Sequence, residues 1–250
     1  MDLVQFDILR SVPGLSHAIV SKPVNLAPHT GPQRDQALIR RRDVCACLGF
    51  SHNLLTATQQ VHGVKIARVD TRNAGAGWDG PVSAIAQADG LMTDLPNVPL
   101  VSFSADCCLL AVVDPSSHAA GLVHAGWRGV AANAAGQLVH EMCMAYDAQP
   151  GRMLAALAPA AQVCCYEISA DLAEQLSAAH PCGRDVLACR DGKWYFDMHG
   201  ALVKQLARAG VPVEQIERSA ECTICDERYF SYRREGPETG RNAVVIGWKA

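Results

Sequence analysis

The chain has 250 residues and a formal net charge of −3, with 49% of its residues hydrophobic and 19% charged, a globular balance long enough to bury a full core. That charge leaves no basic footprint, which argues against binding to a nucleic-acid backbone or an anionic membrane surface, and no window is apolar for long enough to span a bilayer. The stretch Met1 to Arg10 lacks the basic start and long apolar run of a signal peptide, so the expected compartment is the cytoplasm, where eleven cysteines read as thiols, small buried hydrophobes or metal ligands rather than as a disulfide framework.

Val4 to Leu9 alternates and predicts a strand, with Leu15 to Val20 as its hairpin partner across S-V-P-G. N-L-A-P-H-T-G-P is a loop by composition. Arg34 to Leu48 predicts a helix, with Ala37, Leu38, Val44, Cys45 and Leu48 at helical spacing and Gly49 as its stop. Leu54 to Val61 and Val64 to Val69 read as strands, and Thr71 to Pro81, rich in Gly and Asn, as an exposed loop. Four short apolar runs follow at 88–94, 98–107, 109–115 and 119–124, separated by Pro, Asp or Gly as strands of one sheet are. Ala131 to Tyr146 predicts a helix and Arg152 to Leu157 a strand. Ser169 to Ala179 predicts a helix with Ser169 as N-cap. Beyond it come a strand at Trp194 to Phe196, a helix at Met198 to Ala209 closed by Gly210, and strands at Ile216 to Ser219 and Ala243 to Trp248. No linker or repeat interrupts the pattern. The expectation is one α/β domain over residues 1–250, with mixed β-sheets layered with α-helices; strand order is not readable from sequence.

Ala120 to Val130, A-G-L-V-H-A-G-W-R-G-V, concentrates chemistry in one turn. A strand ends at His124, glycines follow at 126 and 129, and a helix begins. Q-Q-V-H-G ends in a similar way with His62, and S-A-D-C-C with Cys107. Two histidines and a thiolate make a three-ligand set, the number catalytic zinc sites use while keeping a fourth position for water or substrate. Taken singly, His62 also reads as a hydrogen-bonded loop histidine and Cys107 as buried bulk, and the sequence spacing does not decide between these. Asp106 reads either as a carboxylate orienting a ligand histidine or accepting a proton, or as a turn-former bonded to its own backbone. Arg128, between two glycines at a helix start, suits an anion such as phosphate, or pairs with a surface carboxylate. Arg40, Arg41 and Arg42 have the pattern of a solvated face. C-C-Y-E (164–167) and C-T-I-C (222–225) are further metal or redox candidates, although adjacent cysteines are poorly placed to share one tetrahedral ion. Arg233, Arg234 and Arg241 close the list as anion contacts or partners of acidic neighbours.

These stretches together resemble a known family. N-L at 25–26, Q-V-H-G at 60–63, A-D-G-L-M-T at 88–93, S-A-D-C at 104–107, H-A-G-W-R-G at 124–129, C-C-Y-E at 164–167, C-T-x-C, F-S-Y-R-R and T-G-R run in its order. It is the purine nucleoside phosphorylase family once called the laccase-domain or polyphenol oxidase family, which also includes a peptidoglycan editing factor. The resemblance implies a metal, usually zinc, on His62, Cys107 and His124. It implies phosphorolysis of adenosine, inosine, guanosine or methylthioadenosine, deamination of adenosine, and a single α/β fold. It raises Arg42 as a phosphate or substrate contact; Arg128 and Arg241 as anion contacts, and Asp106 as a catalytic candidate, stand on their own positions in the sequence. Purine nucleosides and phosphate are the expected partners, and the chain itself is expected as a monomer or homodimer. The alternatives are a copper-dependent phenol oxidase, a Cys–His hydrolase or amidase with Cys107 as nucleophile and His124 as base, and a metal-dependent binding module. Two departures stand out. A-P-A-A-Q-V at 158–163 replaces a glycine-bearing loop, which changes substrate preference if that loop lines the pocket. Cys108 stands where relatives carry proline.

Overall fold

A computed structural model describes residues 3–31, 34–179 and 183–250. In chain order its elements are α1 (Asp7–Arg10), β1 (Leu15–Val20), α2 (Ala37–Leu48), β2 (Ile66–Arg68), β3 (Gly90–Thr93), β4 (Leu100–Ser104), β5 (Cys108–Asp114), β6 (Ala119–Ala125), α3 (Trp127–Ala131) and α4 (Ala134–Tyr146). There follow β7 (Leu154–Leu157), β8 (Glu167–Ile168), α5 (Ala170–Ala179), β9 (Leu187–Arg190), β10 (Lys193–Phe196), α6 (Met198–Arg208), β11 (Ile216–Arg218), α7 (Tyr232–Glu235) and β12 (Asn242–Trp248).

Among the described residues three sheets form, ordered β11-β7-β5-β6-β3-β2, β1-β12-β4 and β8-β10-β9. The first is mixed, with parallel pairs at both ends and antiparallel pairs inside. Its central strands have no solvent face, so their period-2 alternation divides one apolar run between two cores. On β5, Leu110 and Val112 pack against α4 and α6, through Leu138, Met142 and Leu202. Leu109, Ala111 and Val113 face the β1-β12-β4 sheet, through Val244 and Ile246. On β12 the other face, Ala243 and Val245, packs on Val44, Cys45 and Leu48 of α2. The layers therefore run helices, six-stranded sheet, three-stranded sheet, α2, which is the expected α/β architecture of mixed sheets layered with helices. Among the described residues no helix is long and apolar enough to cross a membrane.

Several local expectations are corrected. Val4 to Leu9 is no strand: Val4 makes one bridge to Ile19, and Asp7–Arg10 turns helically. That turn sends both Phe6 and Leu9, three apart, into the core between the sheets. The partner of β1 is β12, in register from Leu15↔Trp248 to Val20↔Ala243. Leu54 to Val61 contributes only single bridges at Thr56 and Thr58, and Val64 to Val69 shortens to β2. The helix predicted from Ala131 is interrupted, because Asn133 takes a left-handed conformation at φ 64° and divides α3 from α4. Short β8 and β9 had no clear periodic signal. Elsewhere the capping signals hold: Ser169 Oγ accepts from Leu172 N at 3.2 Å, and Gly49 closes α2 at φ 78°.

Candidate metal centre

Sheet register assembles the centre. Cys108 pairs with Ala125 and Leu109 with His124, so Cys107, in the turn entering β5, stands beside the end of β6. The 60–63 loop ahead of β2 brings His62 to the same end. One ligand atom from each of His62, Cys107 and His124 lies within 4.8 Å of the others. The two imidazoles meet edge to face with centroids 4.9 Å apart. Gly126 is required by contact rather than by conformation: a Cβ there would sit 2.9 Å from Cys107 Sγ and 3.2 Å from His62 Cδ2.

The residue that locks this geometry is Asp89, 1% exposed, just before β3. Its carboxylate accepts from Val61 N at 3.1 Å, His62 N at 2.9 Å and Gly63 N at 2.7 Å. These bonds pin the turn that holds His62 at the left-handed φ of 62°. Oδ1 also accepts from His124 Nδ1 at 2.9 Å. An ionised carboxylate only accepts, so Nδ1 carries the proton and Nε2 is left for the centre. Burial raises the Asp89 carboxyl, but the bonds from His124 and from the Gly63 and Val61 amides outweigh it and hold the group below its ordinary value. Burial likewise raises the Cys107 thiol, yet the neighbouring His124 and His62 bring it down to about 6. His124 moves the other way. Burial lowers it, and Cys107 with Asp89 lifts it to about 9. The two shifts run in the direction that favours a thiolate on Cys107 beside a protonated His124. A soft anionic sulfur, two nitrogens with one tautomer fixed by a carboxylate, and an open side toward a cavity fit a zinc ion with one exchangeable position.

The cavity has a volume of about 730 Å³, in the range of small-molecule sites. Phe103, Trp127, Tyr166 and Tyr232 supply aromatic wall, and His29, Arg41, Arg233 and Arg241 border it with basic groups. Burial, then the charges of Arg241 and Arg41, lower the pKa of His29, so these three groups share one electropositive end.

The other expected site residues separate. Arg241 lines the cavity, with one guanidinium nitrogen on Thr239 O at 2.6 Å and Gly240 O at 3.0 Å. Arg42 is exposed on α2 and lies outside the cavity lining. The arginine of that run at the wall is Arg41, 3% exposed, bonded to Leu26 O, Gly77 O and Trp78 O and stacked 5.3 Å from the Phe103 ring centroid. One helical position, about 100° of rotation, separates a solvated arginine from a buried one. Arg128 is also exposed and outside the lining, stacked 4.2 Å from the Trp127 ring centroid. Asp106 borders the cavity but both its carboxylate oxygens are taken, by Thr223 Oγ1 at 2.7 Å and Arg233 N at 2.7 Å. It shapes the turn carrying Cys107 at φ 89°, and the carboxylate on the histidine is Asp89. The altered 158–163 loop does not line the cavity. Its Gln162 is buried behind it, with Nε2 3.0 Å from His199 Nδ1. Cys108 is fully buried in β5. Sequence reasoning missed Asp89, Arg41 and His29. The one available signal was A-D-G-L, a lone acid at the mouth of an apolar strand.

A profile of the multi-copper polyphenol oxidoreductase laccase family matches residues 10–249. The chain is 34% identical over 228 residues to "Purine nucleoside phosphorylase YlmD" of Geobacillus stearothermophilus, covering 90% of this chain and 83% of that protein. It is 30% identical over 226 residues to "Adenosine deaminase RL5" from an unknown prokaryotic organism, covering 89% and 86%. The crystal structure of YlmD from Geobacillus stearothermophilus superposes with a TM-score of 0.89 at 30% identity, over 96% of this chain and 93% of that one.

Proposed function

The chain belongs to the multi-copper polyphenol oxidoreductase laccase family, and on that premise we propose that it is a zinc-dependent purine nucleoside phosphorylase that also deaminates adenosine. The observation that carries the reading is the His62–Cys107–His124 set at a cavity with aromatic walls and a basic end. The names of its relatives support the substrate class, a purine nucleoside with phosphate, and one names adenosine; inosine, guanosine and methylthioadenosine are further candidates from the sequence resemblance.

When bound by the three ligands, zinc would supply a Lewis acid and a water activated near neutral pH, which suits the deamination. The protein's own groups do the rest. Asp89 keeps the proton on His124 Nδ1, so that Nε2 stays a ligand. Aromatic faces such as Phe103 and Tyr166 hold the flat base by stacking. Arg241, with Arg41 and His29 behind it, holds the phosphate and screens its charge as an oxygen bonds to ribose C1′ and the bond from C1′ to the base breaks. The phosphate role expected of Arg42 and Arg128 passes to Arg241, because it borders the cavity and they do not. Oxidation of phenols by several coppers has little support. Among the described residues the metal-capable clusters are this one and a set of four cysteines, and a multicopper centre needs many more histidines.

One observation favours a second reading. Without metal, Asp89, His124 and Cys107 form an acid–imidazole–thiolate relay, the constellation of a cysteine hydrolase. A single experiment separates the two. The protein, prepared without a metal-binding tag, is assayed for metal and for release of base from adenosine and phosphate, with and without a chelator. Zinc at His62, Cys107 and His124 with base released only in the zinc-loaded protein supports phosphorolysis. Copper there, or loss of metal that leaves turnover intact, rejects the zinc reading. Activation by the chelator, together with alkylation of Cys107, moves the assignment to the hydrolase.

A further inference from the structure

Four cysteines outside the centre above converge on one point. Cys164 and Cys165 lie in the turn before β8; Cys222 and Cys225 lie in the loop between β11 and α7. One sulfur from each lies within 4.8 Å of all the others. Cys225 Sγ is 3.0 Å from Cys165 Sγ and 3.6 Å from Cys164 Sγ. A tetrahedral zinc about 2.3 Å from each sulfur spaces the sulfurs about 3.8 Å apart, so small adjustments close the set around an ion. All four are free thiols, whereas a disulfide draws its sulfurs to about 2.05 Å.

The backbone is prepared for the task. A bridge between Ala160 and Cys222, with Thr223 N on Ala160 O at 3.1 Å, joins the two loops. The obstacle seen in sequence, two adjacent cysteines, is removed by the turn. Cys165 N and Tyr166 N both bond Gln162 O, at 3.0 and 2.8 Å, and this bends the chain so that both sulfurs reach Cys225. Cys222 Sγ accepts from Gln162 N at 3.5 Å, the kind of outer hydrogen bond that supports a metal-bound thiolate. Four thiolates around a divalent cation carry a net double negative charge, and two guanidiniums stand beside it. Arg190 donates to Cys164 O at 3.2 Å, and Arg234 to Thr223 O at 2.6 Å and Ile224 O at 3.0 Å.

We propose that Cys164, Cys165, Cys222 and Cys225 form a second metal site, a tetrathiolate centre that takes one zinc ion and staples the loop before β8 to the loop before α7. Four soft thiolates gathered within 4.8 Å of one another select zinc over harder cations. Binding exchanges four thiol protons for the ion, so protons are released and no redox partner is needed. The staple bears on the cavity through its immediate neighbours: Tyr166 and Ile224 line it, and Thr223 holds Asp106.

The test is a metal count on reduced protein purified without a metal-binding tag. The expected result is about two zinc ions per chain. His62→Ala with His124→Ala removes one of them, and Cys222→Ser with Cys225→Ser removes the other. Because the serine variant can fail to fold, the wild type carries an independent arm: alkylation mapped by mass spectrometry. Zinc-loaded protein protects all four cysteines, and a chelator exposes them. Zinc confined to the His–Cys–His set, with the four cysteines alkylated at equal rates with and without zinc, overturns the proposal. So does a Cys165–Cys225 cross-link in protein kept under reducing conditions.

Discussion

Asp89→Asn is the sharpest probe of the centre. The carboxylate serves four donors: Oδ1 takes His62 N and His124 Nδ1, and Oδ2 takes Val61 N and Gly63 N. An amide keeps one acceptor oxygen and turns the other position into a donor, so two of the four N–H groups lose their partner. Each bond to a charged acceptor contributes about 1.5–3 kcal/mol, so the loss is roughly 3–6 kcal/mol before relaxation. Part of it appears as lower stability. The rest appears at the metal, because a His124 that must accept at Nδ1 carries its proton on Nε2 and ceases to be a ligand. Zinc affinity should fall by about 10–100-fold, the range for loss of a group that orients a ligand. Competition against a chromophoric chelator measures it, with the thermal midpoint recorded alongside. Wild-type affinity and midpoint in Asp89→Asn would refute the assigned role.

Gly126→Ala should fold, yet bind zinc weakly, because the new Cβ meets Cys107 Sγ at 2.9 Å; metal content after gel filtration reads this. Arg241→Ala should raise the KM for phosphate at least tenfold, whereas Arg42→Ala, on an exposed position of α2, should leave it unchanged; equal effects would return Arg42 to the site. Stability should fall in mild acid. Burial, with the charge of Arg218, lowers His199 from its ordinary 6.5 to about 4. The unfolded chain then binds a proton that the folded one refuses. The stabilisation is complete above pH 6.5 and is lost as pH falls toward 4, by about 3 kcal/mol. Denaturant melts of wild type and His199→Gln across that interval should show the shallower dependence in the variant.

The motifs carried more of the molecule than the periodicity did. His62, Cys107 and His124 are legible through their motifs and the family these resemble, not through spacing; the register of β5 on β6 and the 60–63 loop bring their ligand atoms together. The double-faced strands β4 to β6 were legible because burial on both sides leaves continuous apolar runs. Asp89 was not, since its partners at 61–63 and 124 are fixed by the pairing of β3 with β6, which sequence does not encode locally. Arg41 was hidden by its neighbours in a uniform basic run, where the side chain that turns inward is decided by the Leu26 and Gly77 carbonyls. For Arg128 the sequence leaves an anion contact and a surface arginine both open; in the structure it is exposed on the five-residue α3, stacked on Trp127 and outside the cavity lining. The Val4–Leu9 alternation failed because six residues are too few to tell period 2 from a single helical turn.

The pairing of Leu15 with Trp248 carries a consequence for synthesis. β12 is the middle strand of its sheet, flanked by β1 and β4, so the two flanking strands leave the ribosome long before the strand that joins them. Until it arrives, the apolar faces of β5 and β6 that it covers have no lid, and the chain is exposed to self-association during translation. Closure of the β1-β12-β4 sheet therefore waits for the segment 242–248, and substitutions that disrupt it are expected to raise aggregation in the cell.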